Sequence, residues 1–361
     1  MIKESVPEFN VVISESLTDT LSRLSLGRKP LLITSAGFRQ RGVVDEVLAS
    51  LPNCSFTVIE DVSPNPELAY LARILEQYQR TDFTSIIALG GGSVMDSAKV
   101  LSRMLGQSSA KLEEYLVLRT ALPNNEPIPL TTIPTSSGTG AEITPFATVW
   151  DSRTQTKYSF SDRIPDSTIL VANLTQTLPR NETLYSGLDA LSHALESLWN
   201  NQRTPSSQKA ALSAIDHVLD GLPRVLATPQ SLEARKTMLV GANLAGMAIT
   251  ETRTALAHAM SYSLTLKYGI PHGLACSFTL PALLSLFKNE ELGLSSAQRD
   301  GLEDLLSSLK LVDEVTHFAS AEQIISEYDY DLEPSRAKNF TRPVTSAQIK
   351  QILLSSLNEG T

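Results

Sequence analysis

Cysteine is scarce in this chain of 361 residues: there are two, Cys54 and Cys276, and no CxxC pair. Such usage gives neither a disulfide framework nor a thiolate zinc site, and it fits a reducing compartment, by default the cytoplasm. Runs of positive charge are missing too. No stretch of Lys or Arg is longer than two, and the net charge is −9 with a pI near 5.2. A nucleic-acid or anionic-membrane surface is therefore not expected, and a small molecule is the expected partner. No segment approaches the roughly 18 apolar residues of a membrane span, and the opening MIKESVPEFN lacks the apolar core of a signal peptide.

What is present reads as two domains, since the chain is longer than a single core comfortably supports. Up to Pro179, short β-branched runs alternate with helical stretches: NVVIS, PLLITS (30–35), SFTVIE (55–60), a helix from Pro66 to Arg80, then SIIAL (85–89). That βαβ rhythm predicts an α/β domain over 1–179 with a Rossmann-like parallel or mixed sheet. IPLTTI (128–133), PFATVW (145–150) and STILVA (167–172) are expected to extend the sheet, with a loop at 121–127. Over 180–361 apolar residues recur at helical spacing, which predicts an all-helical domain whose first helix takes Asn181 as N-cap.

Two loops of small residues follow predicted strands. Gly90-Gly91-Gly92-Ser93 sits at a strand-to-helix junction, where bare backbone N–H groups and a helix N-terminus favour phosphate, although a plain tight turn would read the same and the pattern is not GxGxxG. Pro134 to Glu142, PTSSGTGAE, is the second, and ligands of open α/β folds bind at such strand ends. In the second half, Asp189 and His193 lie one helical turn apart, followed by His258 and His272. Three of only five histidines fall in this set. One oxygen and three imidazoles can hold Fe(II) or Zn(II) with a coordination position open. A surface Asp-His pair beside two buried histidines is the bland alternative.

The succession PNP (64–66), GGGSVMDSAK (90–99), PTSSGTGAE (134–142), GLDALSHALE (187–196) and HAMSYSLTLKYGIPHG (258–273) resembles the iron-containing alcohol dehydrogenases, a branch of the dehydroquinate synthase-like fold. The resemblance implies Asp189, His193, His258 and His272 as metal ligands, for Fe(II) first and Zn(II) second. It implies NAD(P) near Ser35, Asn65, Gly91, Gly92, Ser93, Asp96, Thr135, Ser136, Thr139 and Lys157, the last facing the nicotinamide ribose, with a surface lysine in the turn DSRTQTKY as the bland alternative. Ser35 stands where NAD-using members carry an acid that accepts from the ribose 2′-OH, and Arg39 and Arg41 follow, so NADPH is favoured. Many members have a further histidine four residues after the His258 equivalent. Here Tyr262 occupies that place, and Tyr262, water or the cofactor ribose is left to deliver the proton.

Arg253, just ahead of His258, replaces the small or apolar residues usual there and could grip a phosphonate, phosphate or carboxylate, or else form a structural salt bridge with Glu251 or elsewhere. With HAMSYSLT and GIPHG it is similar to the phosphonoacetaldehyde reductase branch of phosphonate biosynthesis. The implied reaction is reduction of phosphonoacetaldehyde to 2-hydroxyethylphosphonate, a small anionic aldehyde becoming a primary alcohol. A broad reductase for neutral short-chain aldehydes is the alternative, and a dehydroquinate synthase-like lyase is less favoured because its site needs many lysines and arginines. The sequence leaves a homodimer open.

Overall fold

The structure, a computed structural model, describes residues 9–122, 124–330, 332 and 334–358. The opening MIKESVPE and Pro123 of the 121–127 loop lie outside the described residues. The described residues divide into two compact units, residues 9–136 with 141–175, and residues 137–140 with 176–358.

The first unit is built on a six-stranded, wholly parallel sheet: β1 (Val11–Ser14), β2 (Pro30–Ile33), β3 (Thr57–Ile59), β4 (Ser85–Gly90), β5 (Leu130–Pro134) and, further along the chain, β8 (Ser167–Val171). Their order is β1-β8-β5-β4-β2-β3. Every residue of β2, β4 and β5 is buried, as expected for parallel strands covered on both faces. The pleat sends Leu31, Ile33, Ile86 and Ala88 into one core, and Leu32, Ile87 and Leu89 into another. The order in which strands are added reverses between β2 and β4, because β3 lies on one side of β2 and β4 on the other. Their carboxyl ends therefore form the switch point where open α/β sheets take ligands.

One expected strand does not join this sheet. Residues 145–150 were expected to extend it, but β6 (Ala147–Asp151) pairs antiparallel with β7 (Thr156–Phe160) in a separate hairpin. Trp150 N–H donates to Pro66 O at 2.8 Å and so fastens the hairpin beside the 64–67 loop. Lys157 consequently lies in a strand, not in the turn, with its Nζ 4.0 Å from the centroid of the Trp150 ring across the hairpin.

The second unit is helical. Its long members are Arg180–Leu198, Pro205–Ala227, Leu232–Thr252 and Leu256–Tyr268, followed by the short helix His272–Ser277. They bury Leu188, Leu191, Leu195, Ile215, Leu222, Met260 and Leu274 in one core. The first helix begins two residues earlier than its sequence signal. Pro179, with φ −57°, is the N-cap and its carbonyl accepts from Thr183 N–H at 2.9 Å, which places Asn181 inside the first turn. The helix Leu256–Tyr268 stops at Gly269, whose φ of 69° suits a left-handed C-cap. No helix among the described residues is long and apolar enough to cross a membrane.

Candidate functional site

The helix Arg180–Leu198 carries Asp189 and His193 at i, i+4, so both side chains point to one side. From Asp189 Oδ1 the distances are 3.5 Å to His193 Nε2, 3.4 Å to His258 Nε2 and 3.9 Å to His272 Nε2. Metal–ligand bonds of about 2.0–2.2 Å put tetrahedral neighbours about 3.3–3.6 Å apart. The spacing thus suits a shared cation with little adjustment. Asp189 Oδ1 and His258 Nε2 are moreover buried without a hydrogen-bond partner, despite their 3.4 Å separation. Orphaned lone pairs in a buried cluster are what a ligand set presents before its ion arrives. Asp189, His193 and His258 are buried and the His272 side chain is half exposed, so the cluster has an open side.

Electrostatics agree with this reading. Burial pushes the Asp189 carboxyl up, but His193, His258 and His272 outweigh it and hold the group well below the usual carboxylate range. Burial brings His193 down to about 4, against the pull of Asp189, so it is neutral at pH 7 and its lone pair is free. His258 moves the other way: burial opposes its charge, yet Cys276, Glu196 and Asp189 raise it well above the ordinary value. A buried pocket this rich in anionic groups collects positive charge, and a divalent cation would replace the protons.

Two side chains that the sequence reading did not assign to the site belong to this cluster. Glu196 is fully buried, accepts from His258 Nδ1 at 2.5 Å and from His258 backbone N–H at 3.1 Å. This carboxylate–histidine pair fixes the tautomer that leaves Nε2 for a metal. Its signal was local, since Glu196 repeats at i+3 from His193 and i+7 from Asp189. Glu196→Gln should weaken divalent-metal affinity by about 10–100-fold, as read by competition with a chromophoric chelator, while the helical circular dichroism stays unchanged. Cys276, one turn after His272, is the second.

The His272 helix is held tightly against the Asp189 helix. A Cβ on Gly273 would lie 1.9 Å from Tyr185 O, so only glycine permits this approach. Ser277 Oγ donates to Leu188 O at 2.9 Å across the same contact.

In the first unit, the helix Gly92–Met104 starts directly after β4 with Gly91 as its N-cap, as the triple glycine predicts. Asn65, in the left-handed region at φ 60°, donates its backbone N–H to Ser93 Oγ at 3.1 Å. A Cβ on Gly91 would stand 3.6 Å from Ser136 Oγ, and Thr135 N–H donates to Gly90 O at 3.0 Å. Asn65, Gly91, Gly92, Ser93, Thr135 and Ser136 are thereby gathered at the ends of β4 and β5. Asp96, on the next turn, accepts from Thr148 N–H at 2.9 Å and lies 3.8 Å from the buried Lys99 amine. Burial raises Asp96 to about 6, against Lys99 and the Thr148 N–H, and lowers Lys99 to about 8, against Asp96 and Glu142. Thr139 is exposed and falls in the 137–140 stretch that groups with the helical unit.

Ser35 occupies the N-cap position of the helix Ala36–Gln40 after β2, without a side-chain capping bond. Of the two arginines beyond it, Arg39 is already engaged, 2.6 Å from both Glu60 and Asp45. Arg41 instead lies over the Phe38 ring at 4.3 Å.

Arg253 ends the helix Leu232–Thr252 at φ 63°, ψ 179°, a region that residues other than glycine enter at a cost of about 1–3 kcal/mol. The backbone is pinned there. Its N–H donates to Ile249 O at 2.8 Å, and its carbonyl accepts from Thr252 Oγ1 at 3.0 Å and from Asn200 Nδ2 at 3.2 Å. Glu251, the salt-bridge partner considered for it, accepts from the Thr204 hydroxyl at 2.5 Å. Tyr262 is half-buried one turn beyond His258, with the Arg336 guanidinium 4.7 Å over its ring.

Comparison with known proteins adds to this geometry. Residues 9–171 match the family described as iron-containing alcohol dehydrogenase, and residues 183–326 match the Fe-containing alcohol dehydrogenase family, C-terminal. Choline dehydrogenase of Bacillus subtilis is 33% identical over 250 residues, covering 68% of this chain and 62% of that protein. Phosphonoacetaldehyde reductase of Streptomyces viridochromogenes is 35% identical over 234 residues, covering 63% of this chain and 58% of that protein. The aligned stretch spans less than two thirds of either relative's length. Among solved structures, an iron-containing alcohol dehydrogenase from Thermotoga maritima has a TM-score of 0.79 at 28% identity, covering 97% of this chain and 98% of that one.

Proposed function

This chain belongs to the iron-containing alcohol dehydrogenase family, and from that premise we propose that it reduces a small anionic aldehyde, phosphonoacetaldehyde first, to the primary alcohol with NAD(P)H. The observation that carries the proposal is the placement of three imidazole nitrogens 3.4–3.9 Å from one buried carboxylate oxygen. Asp189, His193, His258 and His272 would hold Fe(II), with Zn(II) as the alternative. When bound, such an ion would supply Lewis acidity toward a carbonyl oxygen. Glu196 orients His258 for that task. The proton that balances the reaction, RCHO + NAD(P)H + H⁺ → RCH₂OH + NAD(P)⁺, is assigned to Tyr262, one turn past His258.

The nucleotide is assigned to the loops that close β4 and β5, where Gly91 and Gly92 let backbone N–H groups reach a phosphate and Asn65, Ser93, Thr135 and Ser136 supply further donors. Ser35, Asp96, Thr139 and Lys157 complete the proposed set. NADPH is favoured because Ser35 offers no carboxylate to repel a 2′-phosphate. With Arg39 engaged by Glu60 and Asp45, Arg41 is the better placed cation for it.

Arg253 is assigned the substrate anion. Its strained backbone would be relaxed by glycine, so the side chain is what sets arginine apart at this position. The Streptomyces relative named for phosphonoacetaldehyde supports an anionic substrate. A quaternary ammonium, as in choline, would be repelled by a guanidinium.

The test is NADPH oxidation by the Fe(II)- or Zn(II)-loaded protein with phosphonoacetaldehyde and with butanal. Phosphonoacetaldehyde should be preferred. Arg253→Gly should keep the fold and lower kcat/KM on the phosphonate by about 10–100-fold, the worth of a charged hydrogen-bonded contact, with little change on butanal. Equal losses on both aldehydes would remove the anion role from Arg253.

A further inference from the structure

Cys276 lies one turn beyond His272 and is fully buried. Its sulfur is 3.6 Å from His272 Nε2 and 3.7 Å from Nδ1. Donor atoms of Asp189, His258, His272 and Cys276 all lie within 4.8 Å of one another. The backbone that presents the thiol is fixed on the Asp189 helix by the Gly273 approach to Tyr185 O, by Ser277 Oγ donating to Leu188 O at 2.9 Å, and by Ser192 Oγ donating to Cys276 O at 3.4 Å. Into the same space point Asp189 Oδ1 and His258 Nε2, both buried and without a hydrogen-bond partner.

We propose that Cys276 is a further ligand of the metal centre, giving it one thiolate beside the carboxylate and the imidazoles. The proposal rests on the metal reading above. As the sulfur–metal bond forms, the thiol proton leaves to solvent and nothing is oxidised or reduced. Cys276 closes the inner side of the cluster, and half-exposed His272 marks the outer side, where a substrate oxygen can approach. A soft sulfur donor shifts preference toward Zn(II) and Co(II) and away from hard ions such as Mn(II) and Mg(II). The absence of a CxxC pattern hid this because the thiol works with ligands from two other helices, not with a second cysteine.

Cobalt(II) reports both questions in one absorption spectrum. Its visible d–d bands show that the site binds metal, and a near-ultraviolet sulfur-to-cobalt charge-transfer band shows a thiolate ligand. Chelator-stripped wild-type protein titrated with Co(II) should develop both. Cys276→Ser and Cys276→Ala should lose the charge-transfer band while keeping d–d bands. Wild-type d–d bands with no charge-transfer band would overturn the thiolate ligand and leave the metal site standing. A charge-transfer band that survives Cys276→Ser would point to Cys54 and overturn it equally. Failure of the wild type to develop either band would overturn the metal reading, and the thiolate ligand with it.

Discussion

Asp189→Ala should yield a folded protein that neither retains a divalent metal nor reduces aldehydes. The reason is geometric: Asp189 Oδ1 lies 3.4–3.9 Å from all three imidazole nitrogens, so it is the common neighbour of the set. It is also buried and supplies negative charge to balance the ion. Loss of an outer-shell partner costs about 10–100-fold in affinity, and loss of this central oxygen should exceed that range. Elemental analysis of the purified variant, with circular dichroism to confirm its helices, checks the outcome. Full metal content in Asp189→Ala would show that the ion binds elsewhere.

Gly273→Ala is expected to have the second large effect, for a steric reason. The added Cβ would fall 1.9 Å from Tyr185 O and 3.3 Å from Asp189 Cβ. Tyr185 O is backbone inside a helix and cannot swing aside, so the two helices must part. Overpacking of this kind costs about 1–3 kcal/mol, and a backbone clash belongs at the upper end. His272 and Cys276 move with their helix, so metal affinity should fall together with Tm. Gly269→Ala is the matched control. There is open space around its Cβ, but φ is 69°, which costs about 1–2 kcal/mol for an alanine. It should lower Tm and leave metal content intact. Equal metal loss in both variants would mean that general destabilisation, not the Gly273 contact, empties the site.

The parts of this architecture written in local patterns were legible beforehand. The buried run SIIAL followed by three glycines reads as a strand turning tightly into a helix, and β4 with the helix from Gly92 has that form. Asp189 and His193 share a helical turn, so their convergence needs only the helix. What escaped depends on partners distant in sequence. Glu196 looks like an ordinary helix acid until His258, 62 residues later, donates to it. Cys276 has no cysteine near it to set a spacing. The polar run DSRTQTKY reads as a turn, yet its last three residues open β7, whose partner β6 lies in a separate hairpin, so Lys157 belongs to a strand. Arg253 drew notice by residue type alone. Its strained backbone, held by Asn200 and Thr252, belongs to the tertiary structure.

The central claim is that one buried cluster holds a divalent ion and uses it for aldehyde reduction. Its most direct measurement follows a single preparation through removal and return of metal, recording metal content and NADPH oxidation with phosphonoacetaldehyde at each stage. The stripped protein should be inert, and Fe(II) or Zn(II) should restore turnover in proportion to the metal bound. Undiminished turnover in the stripped protein, or stoichiometric metal bound without any turnover on charged or neutral aldehydes, would contradict the account.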